Sequence, residues 1–173
     1  MTDQNRPCRP ELAAANRKPS AGATASRVLR QFRQVFNAVK THFQQVEKTA
    51  GIGGAQLWAL SVIQAQPGIG VKGLAQAMDI HQTTASNLVK ALIRGELASA
   101  ERKGSDRRAL ELRVLAAGSA VLRKAPGPFA GILPQALNRL DSATLDFLER
   151  DLAILIRELH AHAAAGKIPL APL

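Results

Sequence analysis

The chain of 173 residues is long enough to bury one hydrophobic core, and its 23 Lys and Arg against 13 Asp and Glu give a formal net charge of +10. That charge favours an anionic partner, with nucleic acid or an anionic membrane surface as the leading options. Aromatic residues make up 3% of the chain, which argues against binding of single strands by base stacking. The single cysteine, Cys8, excludes an internal disulfide and a zinc site built on paired cysteines, and it fits a reducing compartment.

Several further classes of function lack a signal in the sequence. There is no apolar leader at the start and no apolar run of 18 or more residues, so we expect a cytoplasmic protein without membrane attachment. His160 and His162 lie two residues apart, on different faces of a helix, and we expect no metal site. No nucleophile–base–acid set and no Gly-rich phosphate loop stand out, which predicts a protein that is not an enzyme and has no cofactor.

The N-terminal quarter of the chain contains a long amphipathic segment. Residues 1–25 lack periodicity and are expected to form a flexible arm. Ser26 is a good N-cap for a helix over residues 26–50, which Gly51 should end. The length of its apolar stripe predicts an interface helix, with a core helix of a monomer as the alternative. The stripe consists of Leu29, Phe32, Phe36, Val39, Phe43 and Val46.

Three shorter helices are predicted next, over about 55–66, 71–78 and 82–94, with Trp58 in the core and a tight turn at residues 79–81. In the third, one face is apolar and the opposite face carries amide, hydroxyl and amine groups without a carboxylate. A solvated helix face usually carries Glu and Lys, so this composition indicates a surface that reads base edges. The apolar face holds Ala85, Leu88, Val89 and Leu92, and the polar face holds Gln82, Thr83, Ser86, Asn87 and Lys90.

A basic hairpin follows this helix. Residues 97–101 and 109–114 are predicted strands, because apolar residues alternate with charged ones in the second. The loop between them holds Arg102, Lys103, Arg107 and Arg108 with one carboxylate, Asp106. Two helices joined by a tight turn and followed by such a hairpin predict a winged helix-turn-helix, in which the second helix enters the major groove and loop cations hold phosphates.

The remaining chain is predicted to be helical. A helix from about residue 116 should be split by Pro126-Gly127-Pro128, and Asp141 or Ser142 should cap a final helix that ends near Gly166. A second heptad-like stripe lies on the final helix: Leu145, Leu148, Leu152, Leu155 and Leu159. The fold class is therefore mainly α with a small β-hairpin wing. We expect an arm (1–25), a winged helix-turn-helix (55–115) and a helical dimerisation region (26–50 and 116–165).

Three segments carry a resemblance to a known family: Leu-Ala-Gln-Ala-Met at 74–78, Thr-Thr-Ala-Ser-Asn-Leu-Val at 83–89, and Asp-Arg-Arg-Ala-Leu-Glu-Leu-Arg-Val at 106–114, followed by Gly118. Over about residues 28–160 the chain resembles the MarR family of bacterial transcription regulators. The resemblance implies a homodimer with interlocking terminal helices, in which each protomer presents one winged helix to half of a palindromic operator in double-stranded DNA.

The resemblance also implies roles for individual residues. On the recognition helix it places Gln82, Thr83, Thr84, Ser86, Asn87 and Lys90, with His81 just before it. Arg107 is the candidate for the minor groove, Arg108 matches the signature arginine, Arg102 and Lys103 are candidate phosphate contacts, and Asp106 should fix the loop shape. The implied dimer residues are Leu29, Phe32, Phe36, Leu148, Leu152, Leu155 and Leu159.

Many MarR relatives are repressors that release DNA when a small aromatic or anionic effector binds, and the resemblance implies the same here. Phe36, His42 and Trp58 could line an effector pocket, although core packing is the better interpretation of each. The chain departs from the family pattern at four places. Gly70 and Leu115 stand where the family has capping Ser or Thr, Glu96 stands where a glycine usually ends the recognition helix, and Pro126-Gly127-Pro128 interrupts a helix that is often continuous. A winged helix that docks a protein, or an architectural DNA binder without sequence preference, remain the alternatives.

Overall fold

The computed structural model describes residues 21–102 and 110–170, without the side chains of residues 21, 102 and 164. This part of the chain is mostly helical and contains one antiparallel two-stranded sheet, so the predicted fold class is confirmed. The chain divides into two units, residues 1–33 and 34–173, and helix α1 contributes to both. The elements are α1 (Ala21–Ala50), α2 (Gly54–Ala65), α3 (Val71–Ala77), α4 (Gln82–Arg94), β1 (Ala98–Arg102), β2 (Leu110–Val114), α5 (Ala116–Lys124), α6 (Ile132–Leu137), α7 (Ser142–Glu158) and a 3-10 turn (Ala163–Lys167).

Helix α1 starts earlier than the sequence predicts. It begins at Ala21, so Ser26 lies inside the helix and not at its N-cap, and its hydroxyl donates to the Gly22 carbonyl oxygen at 3.0 Å. The alanines of the segment 21–25 favour helix strongly, which allows the helix to extend upstream of the expected cap. Residues 21–25 therefore belong to α1, while the rest of the expected arm lies outside the described residues.

The hydrophobic core of the second unit forms around α2. Leu57, Leu60 and Ile63 of α2 are fully or almost fully buried, and they belong to one cluster with the inward faces of α3, α4 and β2. The C-terminal half of α1 adds three buried residues, Val39, Phe43 and Val46. Trp58 is half-buried and packs against this cluster, in agreement with its predicted place in the core.

The sheet has one register throughout, with Ala98 opposite Val114 and Arg102 opposite Leu110. The segment between α2 and α3, for which the sequence predicts no helix or strand, also bonds to β2. The Gly68 amide donates to the Leu112 carbonyl (2.9 Å), and the Leu112 amide donates to the Ile69 carbonyl (3.0 Å). Leu112 is completely buried, so β2 is fixed both by its backbone and by its side chain.

The base of the hairpin is packed against α5 through a glycine. The Leu115 amide donates to the Leu97 carbonyl at 2.9 Å, and α5 starts one residue later without a side-chain cap, as expected where the chain has Leu in place of a capping Thr. Gly118 is buried directly against that carbonyl, and a Cβ there would overlap the Leu97 oxygen and lie 2.9 Å from Cγ1 of Val114. The wing and α5 can approach this closely because residue 118 has no side chain.

The C-terminal helices differ from the prediction at one end. The proline segment splits the helical region into α5 and α6 as predicted, and Asp141 caps α7 by accepting from the Thr144 amide at 2.9 Å. The final helix ends at Glu158, however, and not near Gly166, because His160 adopts a left-handed backbone conformation (φ 50°). Gly166 lies in the separate 3-10 turn that follows.

Candidate nucleic-acid interface

The turn between α3 and α4 is a tight reversal stabilised by backbone hydrogen bonds. Asp79 has φ 48°, its amide donates to the Gln76 carbonyl (3.1 Å), and the Ile80 amide donates to the Ala75 carbonyl (3.0 Å). These two bonds form a Schellman motif, in which the left-handed position is usually glycine. Ile80 is buried immediately after the turn, and this burial fixes the direction in which α4 leaves it.

Helix α4 presents two chemically different faces. Ala85, Leu88 and Leu92 are almost completely buried on the inner face, together with Val89. The outer face is exposed at His81, Gln82, Thr83, Asn87 and Lys90, whereas Thr84 and Ser86 are half-buried. The helix is therefore held by its apolar side while amide, hydroxyl and amine groups point outward, an arrangement that suits contact with base edges and phosphates.

Of the two half-buried residues, Ser86 has the smaller freedom to contact a partner because its hydroxyl is already hydrogen-bonded. The Ser86 hydroxyl donates to the carbonyl oxygen of Gln82 at 2.8 Å, one turn earlier in the helix. Its proton is thus used by the backbone, and its oxygen keeps the capacity to accept a hydrogen bond. No side-chain cap is formed at His81, the N-cap residue of α4.

The outer face of α4 extends one turn further than the sequence predicts. Ile93 (40% exposed) and Arg94 continue the outer face, and together with Asn87 and Lys90 they line a shallow groove of about 470 Å³. Thr83, Asn87, Lys90 and Arg94 follow one another at spacings of four, three and four, which is the helical repeat. This spacing could have placed Arg94 on the outer face from the sequence, although Arg94 is the last residue of the predicted helix.

Helix α4 ends in the same kind of motif as α3. The Glu96 amide donates to the Ile93 carbonyl and the Leu97 amide donates to the Leu92 carbonyl, both at 3.0 Å, and Glu96 has φ 54°. Glu96 is one of the positions at which the chain departs from the pattern of the family that it resembles. The geometry is the one that glycine would adopt, with a glutamate in the left-handed position.

The tip of the wing lies outside the described residues, and this applies to Lys103, Asp106, Arg107 and Arg108. The backbone of Arg102 pairs with Leu110 at the outer end of the sheet, so the strands lead into the basic loop as predicted. On β2 the Arg113 guanidinium lies 3.4 Å from the Glu111 carboxylate.

The residues expected at a dimer interface are mostly exposed. Phe36 is 60% exposed, Leu159 is 66% exposed, and α7 as a whole buries none of its side chains. Leu29, Leu148 and Leu152 are also exposed, whereas Phe32 and Leu155 are half-buried.

The three residues considered for an effector pocket are not brought together. Phe36 lines a groove of about 300 Å³ on α1 with Val39, Phe43 and Leu170. His42 instead interacts with the Pro128 carbonyl, with Nε2 at 3.1 Å from the oxygen, and its ring packs edge-on against Phe43. Trp58 packs in the core.

Among residues 21–102 and 110–170 no three His, Cys, Asp or Glu side chains are grouped so as to hold a metal ion. None of the helices in this part of the chain has the length and apolar character needed to cross a membrane.

Comparison with known proteins agrees with this geometry. Residues 50–109 match a family model described as the MarR family. No curated protein sequence matches the chain. Over 75% of this chain and 92% of the other, the fold is similar to a MepR-like protein complexed with pseudoligands (16% identity, TM-score 0.55). It is also similar to a Staphylococcus aureus MepR–DNA complex (18% identity, 78% and 97% coverage, TM-score 0.53) and to Streptococcus pneumoniae FabT in complex with DNA (15%, 79% and 97%, 0.50).

Proposed function

We propose that this chain is a homodimeric transcription regulator that binds a palindromic operator in duplex DNA; the match of residues 50–109 to a family model described as the MarR family supports this. In this proposal α4 lies in the major groove and reads base edges, and each protomer occupies one half-site. The protein acts on DNA in the cytoplasm and has no catalytic role.

The observation that carries the proposal is the outer face of α4. Gln82, Thr83, Asn87 and Lys90 are exposed there, and no carboxylate stands among them. Gln and Asn form paired hydrogen bonds with adenine edges, and Lys binds guanine or phosphate. The structures of MepR and FabT were determined with DNA, which supports the same partner for this chain.

The central test measures binding of the purified protein to the DNA upstream of its own gene. Fluorescence anisotropy gives the affinity over a range of salt concentrations. We expect affinity to fall steeply with salt, because each phosphate neutralised by Lys or Arg releases condensed counterions. Half-sites should lie about one helical turn apart. Equal affinity for random duplexes would favour an architectural binder, and absence of duplex binding would favour a protein-docking winged helix.

One pair of variants tests the role of α4 directly. Asn87→Ala should weaken operator binding by about 1–3 kcal/mol per half-site and relax the preference at one base pair in each half-site. Asn138→Ala is the matched control, because Asn138 is an exposed asparagine at the C-terminal end of α6. A loss of the same size in the control would show that the effect is not specific to α4.

We further propose that the terminal helices form the dimer and that the wing cations Arg102, Lys103, Arg107 and Arg108 hold phosphates, with Arg107 in the minor groove and Asp106 fixing the loop. Support for the dimer comes from α7, none of whose side chains is buried within one protomer and most of whose apolar side chains are exposed. Leu152→Glu should yield monomers in sedimentation velocity, whereas Glu149→Ala on the same helix should not. A dimeric Leu152→Glu protein would contradict this assignment.

Repression relieved by a small aromatic or anionic effector is the mode of regulation we propose. The groove on α1 supports it, since Phe36 and Phe43 give it an apolar wall and Lys40 can pair with an anionic group, although Glu47 also lines it. An effector must favour the conformation that does not bind DNA in order to release it. Titration of small aromatic carboxylic acids into the protein–operator complex tests this, and release should be weakened by Lys40→Ala.

A further inference from the structure

The chain that follows α7 returns to the turn of the helix-turn-helix. The left-handed residue His160 reverses the chain, with the Ala161 amide donating to the Ile156 carbonyl at 3.2 Å. The 3-10 turn Ala163–Lys167 then brings Lys167 beside the turn between α3 and α4, where its Nζ lies 3.8 Å from Oδ1 of Asp79. A residue far away in sequence is thus placed next to the start of the helix proposed to read DNA.

Lys167 forms one wall of an open cleft of about 370 Å³ beside this turn. Lys72 of α3 lies on the cleft as well, so two ammonium groups face it with one carboxylate, that of Asp79. Gln76, His81 and Gln82 add polar groups at the same place, at the first turn of α4. The cleft is therefore open and positive on balance, and its polar groups stand beside the apolar side chains of Ala75 and Ile80.

The position of the cleft indicates which part of the DNA would lie beside it. In a helix-turn-helix the second helix lies in the major groove while the first crosses the DNA backbone, so the turn between them lies at the edge of the groove beside the phosphates. We propose that Lys167 and Lys72 bind backbone phosphates in this cleft, which makes the C-terminal segment part of the DNA interface. This inference rests on the proposed function.

The ion pair with Asp79 alone gives no adequate reason for placing Lys167 here. Both side chains are largely exposed, 54% for Lys167 and 89% for Asp79, and the distance of 3.8 Å is long. Such pairs contribute little to stability. A carboxylate beside DNA repels phosphate, however, so Lys167 has two separable effects: it offsets the charge of Asp79 and it contacts phosphate.

The experiment measures DNA affinity against salt for the full chain, for three single variants, and for an Asp79→Asn background with and without Lys167→Ala. With Lys167→Ala, one phosphate contact per protomer is lost, the slope of log K against log salt becomes shallower by about 0.9 per protomer, and affinity at 0.1 M salt falls by about eightfold per protomer. The loss should be equal on operator and random duplexes, since phosphate contacts carry no base information. Lys167→Arg should retain binding, as should Lys124→Ala at the C-terminal end of α5.

An Asp79→Asn background separates the two effects, and asparagine tolerates the left-handed conformation of that position. If Lys167 contacts phosphate, Lys167→Ala still flattens the salt slope in this background. If the effect disappears there, Lys167 acts only on Asp79 and the inference is wrong. The inference is also wrong if Lys167→Ala binds DNA with the affinity and the salt slope of the wild type. Absence of salt-dependent duplex binding by the wild type contradicts the proposed function itself. Thermal midpoints and dimer content of each variant check that folding is unchanged.

Discussion

Gly118 should be one of the least replaceable residues at the base of the wing. In Gly118→Ala the new Cβ would overlap the Leu97 carbonyl oxygen, which also accepts the hydrogen bond from the Leu115 amide. The new Cβ would also lie 2.9 Å from Cγ1 of Val114, so it cannot move away from the Leu97 oxygen toward strand β2. Backbone cannot move aside as a flexible side chain can, and either the hydrogen bond or the packing of α5 must give way.

The size of the effect follows from three contributions. Overpacking costs about 1–3 kcal/mol, and weakening the hydrogen bond between Leu115 and Leu97 costs about 1 kcal/mol. The replacement of a helical glycine by alanine returns about 1 kcal/mol through helix propensity. We therefore expect Gly118→Ala to lower the free energy of unfolding by about 2 kcal/mol, which corresponds to a fall in Tm of about 4–8 °C for a chain of this size.

Urea unfolding followed by circular dichroism at fixed protein concentration measures the difference, provided that the m-value is unchanged. The matched control is Gly22→Ala, because Gly22 also lies in a helix and its Cβ would meet nothing within 4 Å. The control should unfold at the wild-type urea concentration or slightly above it. A Gly118→Ala protein as stable as the control would refute the steric argument.

Three further substitutions have expected outcomes. Glu96→Gly should raise stability by about 1 kcal/mol, because relief of the left-handed conformation (about 1–2 kcal/mol) exceeds the added freedom of the unfolded chain; an unchanged urea midpoint would contradict this. Leu112→Ala should cost about 2–5 kcal/mol, since the side chain is completely buried, and a smaller loss would show that the site can collapse. The side-chain and backbone hydrogen bonds from Thr144 lower the pKa of Asp141, so its stabilising effect is present above the ordinary aspartate range and lost as pH falls through the lowered pKa. Asp141→Ala should accordingly lose less stability than the wild type between neutral and acidic pH in urea titrations, and a parallel loss would show that the cap does not contribute.

The elements of the winged helix were predictable from the sequence because each has a local cause. The two faces of α4 follow from the spacing of Leu88 and Leu92 against Asn87 and Lys90, and the structure has α4 at the predicted bounds. The pairing of Gly68 and Ile69 with Leu112 was not predictable, since it depends on where α2 places the following segment.

The errors at the two ends of the chain have a similar origin. A good capping residue such as Ser26 starts a helix only if the residues before it disfavour helix, and alanines do not. The position of Lys167 beside Asp79 depends on the chain reversal at His160. Histidine at this position does not by itself predict a left-handed conformation, so the reversal could not be predicted. Contacts between segments distant in sequence leave no periodic pattern, which is why the cleft at the α3–α4 turn was missed.

The exposed apolar side chains of α7 affect how operator occupancy depends on the concentration of the protein. If they are covered only when two protomers meet, then stability and operator occupancy both depend on protein concentration. Below the dissociation constant of the dimer, the concentration of the DNA-binding species rises with the square of the total protein. A twofold change in synthesis then becomes about a fourfold change in the species that binds the operator, so a single surface helix would make the regulatory response steeper than simple binding allows.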